Sequence, residues 1–326
     1  MPMLDMPLAE LRTYQGTNPR PADFDEYWDS SLEELKNVDP APVFKKAAFQ
    51  TPNAECYDVF FTGINGAKLH ATHLRPRNIT EKTPVMLLFH GYRANAGPFS
   101  EKLSFVNAGY SVFALDVRGQ GGQSEDLGGN LGNTSVGHIM RGLDDEDPKK
   151  MLYRDIYLDT RQLANVALSQ DFADPTNVAC TGVSQGGGLT IACAALEPRV
   201  TRAAVFYPFL LDYKRVWEMD LDENAYVDLR YYFRRSDPQH LREDEIFTRL
   251  GYIDLQFLAP RIKGETVFYT GLQDKICPPS TQFAAYNKLT CKKHMVVSPD
   301  WAHETPDCTQ DMSFLFLTQG ILPDAF

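Results

Sequence analysis

The chain has 326 residues, of which 43% are hydrophobic and 23% charged, and a formal net charge of −11. That is enough chain for one large α/β domain or two small ones, in the ordinary balance of a soluble protein with a sizeable core. So acidic a chain argues against nucleic acid and anionic membranes as partners and says little about a small neutral substrate.

The opening stretch carries acids and prolines and no apolar h-region, so no signal peptide is expected. No apolar run reaches the length that crosses a bilayer. The six cysteines, at positions 56, 180, 193, 277, 291 and 308, show no C-x-x-C spacing. They read mostly as reduced core thiols of a cytoplasmic protein. No Pro/Ser/Gly-rich linker divides the chain, so residues 1–326 are expected to form a single domain.

Residues 1–50 read as an N-terminal extension with one helix. Behind Pro21 and its following acids, Phe24, Trp28, Leu32 and Leu35 fall on one helical face. Stretches 56–62 and 67–75 alternate as strands, and Asn65-Gly66 between them is a strong hairpin signal. After Pro84 the pattern changes to unbroken apolar runs at 85–89, 110–116, 178–181, 203–206, 266–270 and 294–298. Runs without alternation suit strands covered on both faces, hence a parallel sheet. The count is about eight strands, mostly parallel with the first two antiparallel, and helices on both faces: the layout of an α/β-hydrolase fold. Residues from about 209 to 262 interrupt the alternation with many aromatics and charges. They read as an insertion serving as a lid or an oligomer contact, with two ordinary surface helices as the plainer alternative.

The most informative stretch is 177–196. A short apolar run meets Gly182-x-Ser184-x-Gly186 and continues into small, helix-compatible residues. Strand, tight turn and helix in that order are the context of a nucleophile elbow. Glycines two positions either side leave room for so sharp a turn, and the serine hydroxyl then stands free at a helix N-terminus. A serine needs a base, itself oriented by an acid, and in this fold the order is serine, acid, histidine. Of the seven histidines, only His303 lies in a loop just after a late core run. Asp274, directly after run 266–270, is the expected acid. Asp300 is the nearest rival but lies too close to His303 in sequence, and Asp220 and Asp222 read as solvated charges. An oxyanion hole needs two preorganised N–H donors. The backbones of Gln185 and of Tyr92, in the loop after run 85–89, are the choices. Arg118 and Gln120 read as supporting residues that fix loops through several hydrogen bonds, with Gln185 and Glu304 completing that support. Tyr92, Tyr207 and Pro208 are candidate walls of the substrate pocket.

Arg118-Gly119-Gln120, the elbow, His303-Glu304, residues 274–280 and the stretch 116–124 together resemble the acetyl xylan esterase / cephalosporin C deacetylase family. The resemblance spans nearly the whole chain. It implies a triad on Ser184, Asp274 and His303, and removal of acetyl groups from xylo-oligosaccharides, related small acetyl esters and the 3′-acetyl of cephalosporins. It further implies work inside the cell, no metal or cofactor, and a homohexamer built as a trimer of dimers. Two other readings share the elbow: a general short-chain carboxylesterase, and a peptidase of the prolyl oligopeptidase type. The roughly 180 residues before Ser184 leave no room for the large N-terminal domain the latter normally carries. A hydrolase-fold binding protein without catalysis is opposed by the complete triad.

Overall fold

A computed structural model describes residues 4–126 and 136–323; the first three residues of the opening stretch lie outside these. Strands β1 (Val43–Lys46), β2 (Ala54–Thr62) and β3 (Lys68–Pro76) pair antiparallel in chain order. β1 is one strand more than the sequence pattern suggested. It is a short edge bearing two lysines and only partly covered, so it shows no alternation of the kind that marks a half-buried strand. Asn65-Gly66 does mark the hairpin, although the turn runs over residues 63–67. The Gly63 N–H donates to Ala67 O at 2.8 Å, and Asn65 takes the left-handed conformation at φ 59°.

The remaining strands are β4 (Thr83–Phe89), β5 (Ser111–Asp116), β6 (Ala173–Val183), β7 (Val200–Phe206), β8 (Glu265–Gly271) and β9 (Lys293–Ser298). They complete a nine-stranded sheet in the order β1-β2-β3-β5-β4-β6-β7-β8-β9, parallel from β5 onward. This is an α/β-hydrolase fold. The unbroken apolar runs now have a cause. Val85, Leu87, Phe113, Leu115, Val178 and Cys180 point into one core, under helices Leu152–Leu168 and Gln185–Leu196. Their neighbours Met86, Val112 and Ala179 point into the other, with Val106, Met312 and Phe316. Both pleat faces are dry, so neither set of alternate positions can be polar.

The N-terminal stretch holds a short helix, Leu8–Leu11, besides the expected one, Phe24–Lys36. The longer helix buries Phe24, Trp28 and Leu35. It shares one apolar cluster with Phe209, Tyr213, Tyr226, Phe233 and Phe247 of the 209–262 segment. That segment holds helices Tyr213–Glu218, Val227–Ser236 and Glu243–Leu250 and packs as a layer continuous with the main core. Asp222, expected in solvent, is buried and paired with Arg230. A deeper acid anchors the layer: Asp212 accepts from Tyr14 Oη at 2.8 Å, Thr17 N at 3.0 Å and Asn18 N at 2.8 Å. All the cysteines are free; four are buried and Cys308 alone is exposed. Among the described residues no helix is long and apolar enough to cross a membrane.

Candidate active site

Every candidate residue lies in a loop at the carboxyl end of a parallel strand, or at the start of the helix that follows. At the end of β6 the chain reverses sharply at Ser184, with φ 56° and ψ −118°, and enters helix Gln185–Leu196. A non-glycine residue held there is strained, and its neighbours must give way. A Cβ on Gly186 would come within 2.1 Å of Phe89 O, and one on Gly182 within 2.5 Å of the same atom. Only glycine fits either position.

His303, in the loop after β9, reaches the elbow. Its Nε2 lies 2.9 Å from Ser184 Oγ and its Nδ1 lies 2.8 Å from Asp274 Oδ2. Asp274 follows β8 and is fully buried. Its Oδ1 accepts from Ile276 N at 2.9 Å and Cys277 N at 2.8 Å, and Gln282 Nε2 lies 3.4 Å from Oδ2. Bonds of this kind fix which carboxylate oxygen faces the imidazole. Asp300, the rival acid, has no such place. Gln282 carries no signal in the sequence, because its role depends on a helix turning back over the acid loop.

Gln185 is buried, and its side chain meets that of Gln120 amide to amide. Gln120 Nε2 donates to Gln185 Oε1 at 2.8 Å, and Gln185 Nε2 donates to Gln120 Oε1 at 3.0 Å. The Tyr153 hydroxyl also donates to Gln185 Oε1, at 3.0 Å. Gln120 Oε1 accepts in addition from Arg93 N at 2.9 Å, which joins the loop bearing Tyr92 to the elbow. Gln185 opens its helix, and the first N–H groups of a helix have no acceptor within it.

Tyr92 is fixed through its side chain as well. Its hydroxyl lies 2.7 Å from Nδ1 of buried His138, whose basicity burial pushes down to about 4, so that the imidazole is neutral. His90 begins the same loop. Its Nε2 accepts from Val117 N at 3.0 Å, and burial holds its basicity down too. Beneath lies Asp116, which accepts from Ala96 N at 2.7 Å, Gln123 N at 2.8 Å and the His70 ring at 2.7 Å. These bonds pin the loops after β4 and β5 to each other.

Arg118 is buried and makes a bidentate pair with Asp159, both bonds at 2.6 Å. It also donates to Ile64 O at 3.3 Å, so it ties the β5 loop to helix Leu152–Leu168 and to the β2–β3 turn. Glu304 is exposed and accepts only weakly from Ala302 N of its own loop, at 3.3 Å. It does not join the Gln120–Gln185 pair. Tyr207 is only 8% exposed: its hydroxyl lies 2.7 Å from Thr305 Oγ1 and its ring centroid 4.6 Å from that of His303. Pro208 is buried over the first turn of the elbow helix.

Comparison with known proteins gives the family. A profile of the acetyl xylan esterase (AXE1) family matches residues 1–319. The crystal structure of acetyl xylan esterase 1 from Thermoanaerobacterium sp. JW/SL YS485 is 52% identical, covers 97% of this chain and 99% of its own, and has a TM-score of 0.94. The acetyl xylan esterase from Paenibacillus sp. R4 is 31% identical, covers 97% of this chain and all of its own, and has a TM-score of 0.90. Acetyl esterase Axe7A of Xylanibacter ruminicola is 25% identical over 92% of this chain, which spans 67% of that protein. With the family profile running from the first residue to the last helix, this chain belongs to the acetyl xylan esterase family of carboxylic ester hydrolases.

Proposed function

We propose that this protein is a serine esterase that removes acetyl groups from acetylated xylo-oligosaccharides and related small acetyl esters, cephalosporin C among them. The observation that carries the reading is the continuous relay in which His303 stands 2.9 Å from Ser184 Oγ and 2.8 Å from Asp274 Oδ2. Ser184 Oγ attacks the acetyl carbonyl as its proton passes to His303 Nε2. Asp274 accepts from Nδ1–H, holding the ring's tautomer and stabilising the imidazolium that forms. The N–H groups of Gln185 and Tyr92 receive the oxyanion. Collapse expels the sugar oxygen, which takes the proton from His303, and leaves an acetyl-enzyme on Ser184. Water, deprotonated by the same histidine, then releases acetate. Gln120 and Arg118 act from behind, by holding the loops. Tyr92 and Pro208 serve as walls of a small acyl pocket. The chain works as a cytoplasmic homohexamer, and a monomer mass in light scattering at micromolar concentration rejects that assembly.

The test is a set of rates on p-nitrophenyl acetate, butyrate and octanoate beside acetate release from acetylated xylo-oligosaccharide and cephalosporin C. Fast acetate turnover that collapses with chain length, together with release from the sugar, supports the deacetylase reading. Good octanoate turnover without sugar activity keeps the triad and points to a general carboxylesterase instead.

A further inference from the structure

The proposed relay accounts for one side of the His303 imidazole, through Asp274 and Ser184. It leaves open what holds the ring's plane. The loop after β7 supplies an answer, and its backbone shows effort spent there. Tyr207 has φ 30° and Leu210, three residues on, has φ 72°. For such bulky residues these are outliers, and strain of this sort persists only where surrounding bonds impose it. Here they do. Tyr207 N donates to Tyr269 O of β8 at 2.9 Å, and Phe209 N donates to Ser184 O at 3.0 Å. The loop is therefore tied both to the strand that leads into Asp274 and to the nucleophile itself.

On this anchored backbone the Tyr207 ring lies against His303, centroids 4.6 Å apart and planes at 60°. Its hydroxyl meets Thr305 Oγ1 at 2.7 Å, two residues beyond the histidine. We infer that Tyr207 is a positioning residue: its ring and its bond to Thr305 clamp the His303 loop so that the imidazole keeps one plane while the proton crosses between serine and leaving group. The inference rests on the triad reading given above. It assigns Tyr207 a different task from that of a pocket wall, since a wall would meet the acyl group and would not need its hydroxyl fastened to the histidine loop.

Steady-state kinetics on p-nitrophenyl acetate and butyrate separate the two tasks, using Tyr207→Phe, Tyr207→Leu, Thr305→Val and the Tyr207→Phe/Thr305→Val double variant, with Ser184→Ala as control. Loss of the ring in Tyr207→Leu lowers kcat on acetate on the order of 10- to 100-fold and leaves KM within about 2-fold, the signature of a misplaced catalytic group. Tyr207→Phe restores most of that rate. Thr305→Val matches it, and the double variant is no worse than either single one, because both changes delete the same bond. An unchanged kcat in Tyr207→Leu with a gain on butyrate makes Tyr207 a wall and overturns the inference. If Tyr207→Leu does not fold, the double variant decides, since additive losses also overturn it. Activity surviving in Ser184→Ala removes the triad reading itself. Inactive Ser184→Ala beside a normal Tyr207→Leu removes only the role of Tyr207.

Discussion

The elbow and the 209–262 layer are both buried and both polar at their centres, yet they are built in opposite ways. The elbow gathers groups from the ends of β4, β5, β6, β8 and β9, which the sheet already sets side by side. The layer hangs on buried acids whose partners come from far along the chain. Asp212 receives Thr17 N and Asn18 N from nearly two hundred residues away, and donates its own N–H to Asp254 Oδ1 at 3.1 Å. The first arrangement sets its side chains on a frame made elsewhere; the second is part of the frame. Mutations should therefore divide cleanly between activity and stability.

The largest effect expected is at the elbow. On the proposed relay, Ser184→Ala lowers kcat by about 10⁶ and Asp274→Asn by about 10⁴, the losses known for serine hydrolases that use a triad. Ser184→Ala leaves the thermal midpoint within a few degrees, and Asp274→Asn keeps an oxygen for the Ile276 and Cys277 N–H groups, so its cost in stability stays small beside its cost in rate. A Ser184→Ala protein that unfolds early would break the division at its strongest point. Arg118→Leu should do the reverse. It strands Asp159, which is fully buried and already pushed up to about 6 by burial despite the guanidinium. The expected cost is about 3–5 kcal/mol in denaturant unfolding, with lost activity following the lost fold.

The same division explains what could be read from the chain alone. Ser184, Asp274 and His303 were legible because their chemistry demands particular residue types in a fixed order at strand ends, and glycine at 182 and 186 has a steric cause. The parallel strands were legible because two dry faces force unbroken apolar runs. Strand β1 was not, since four half-exposed residues at an edge obey no pattern. The covered layer was not either. Its helices carry as much charge as a surface segment, and nothing near Asp212 announces that distant partners meet it, nor near Asp222 that it is buried against Arg230. Glu304 misled for a related reason: adjacency to His303 in sequence says nothing of which way an exposed side chain turns. Gln282, Tyr153 and Thr305 act only through folding contacts, so no local spacing marks them.

Asp212→Asn sharpens the comparison at intermediate size. It replaces a carboxylate that accepts from Tyr14 Oη, Thr17 N and Asn18 N by an amide in which one atom can only donate. The expected loss is about 3 kcal/mol of stability, with kcat per folded molecule within about 2-fold of the parent. Proteolysis that begins in residues 14–18, before the rest of the chain yields, would show that this stretch is released first.

The last effect to test is a pH dependence at Asp254. Burial, with the Asp212 carboxylate beside it, pushes this acid up from its ordinary 3.8 to about 7. The unfolded chain loses that proton near 3.8 while the folded chain keeps it, so the unfolded state binds fewer protons between these limits. Stability must then fall as pH rises from about 4 to about 7 and level off above that. Other carboxylates pull the opposite way: Asp116, held low by its hydrogen bonds to His70, Gln123 and Ala96 against the cost of burial, gains stability for the fold over the acid range. The difference between parent and Asp254→Asn isolates the one group. Urea unfolding at pH 4.5, 6 and 7.5 should show the parent losing stability relative to the variant across the series. A constant difference would mean that Asp254 is ionised throughout, stabilised by the Asp212 and Gln256 N–H groups and the Gln256 side chain that already donate to it.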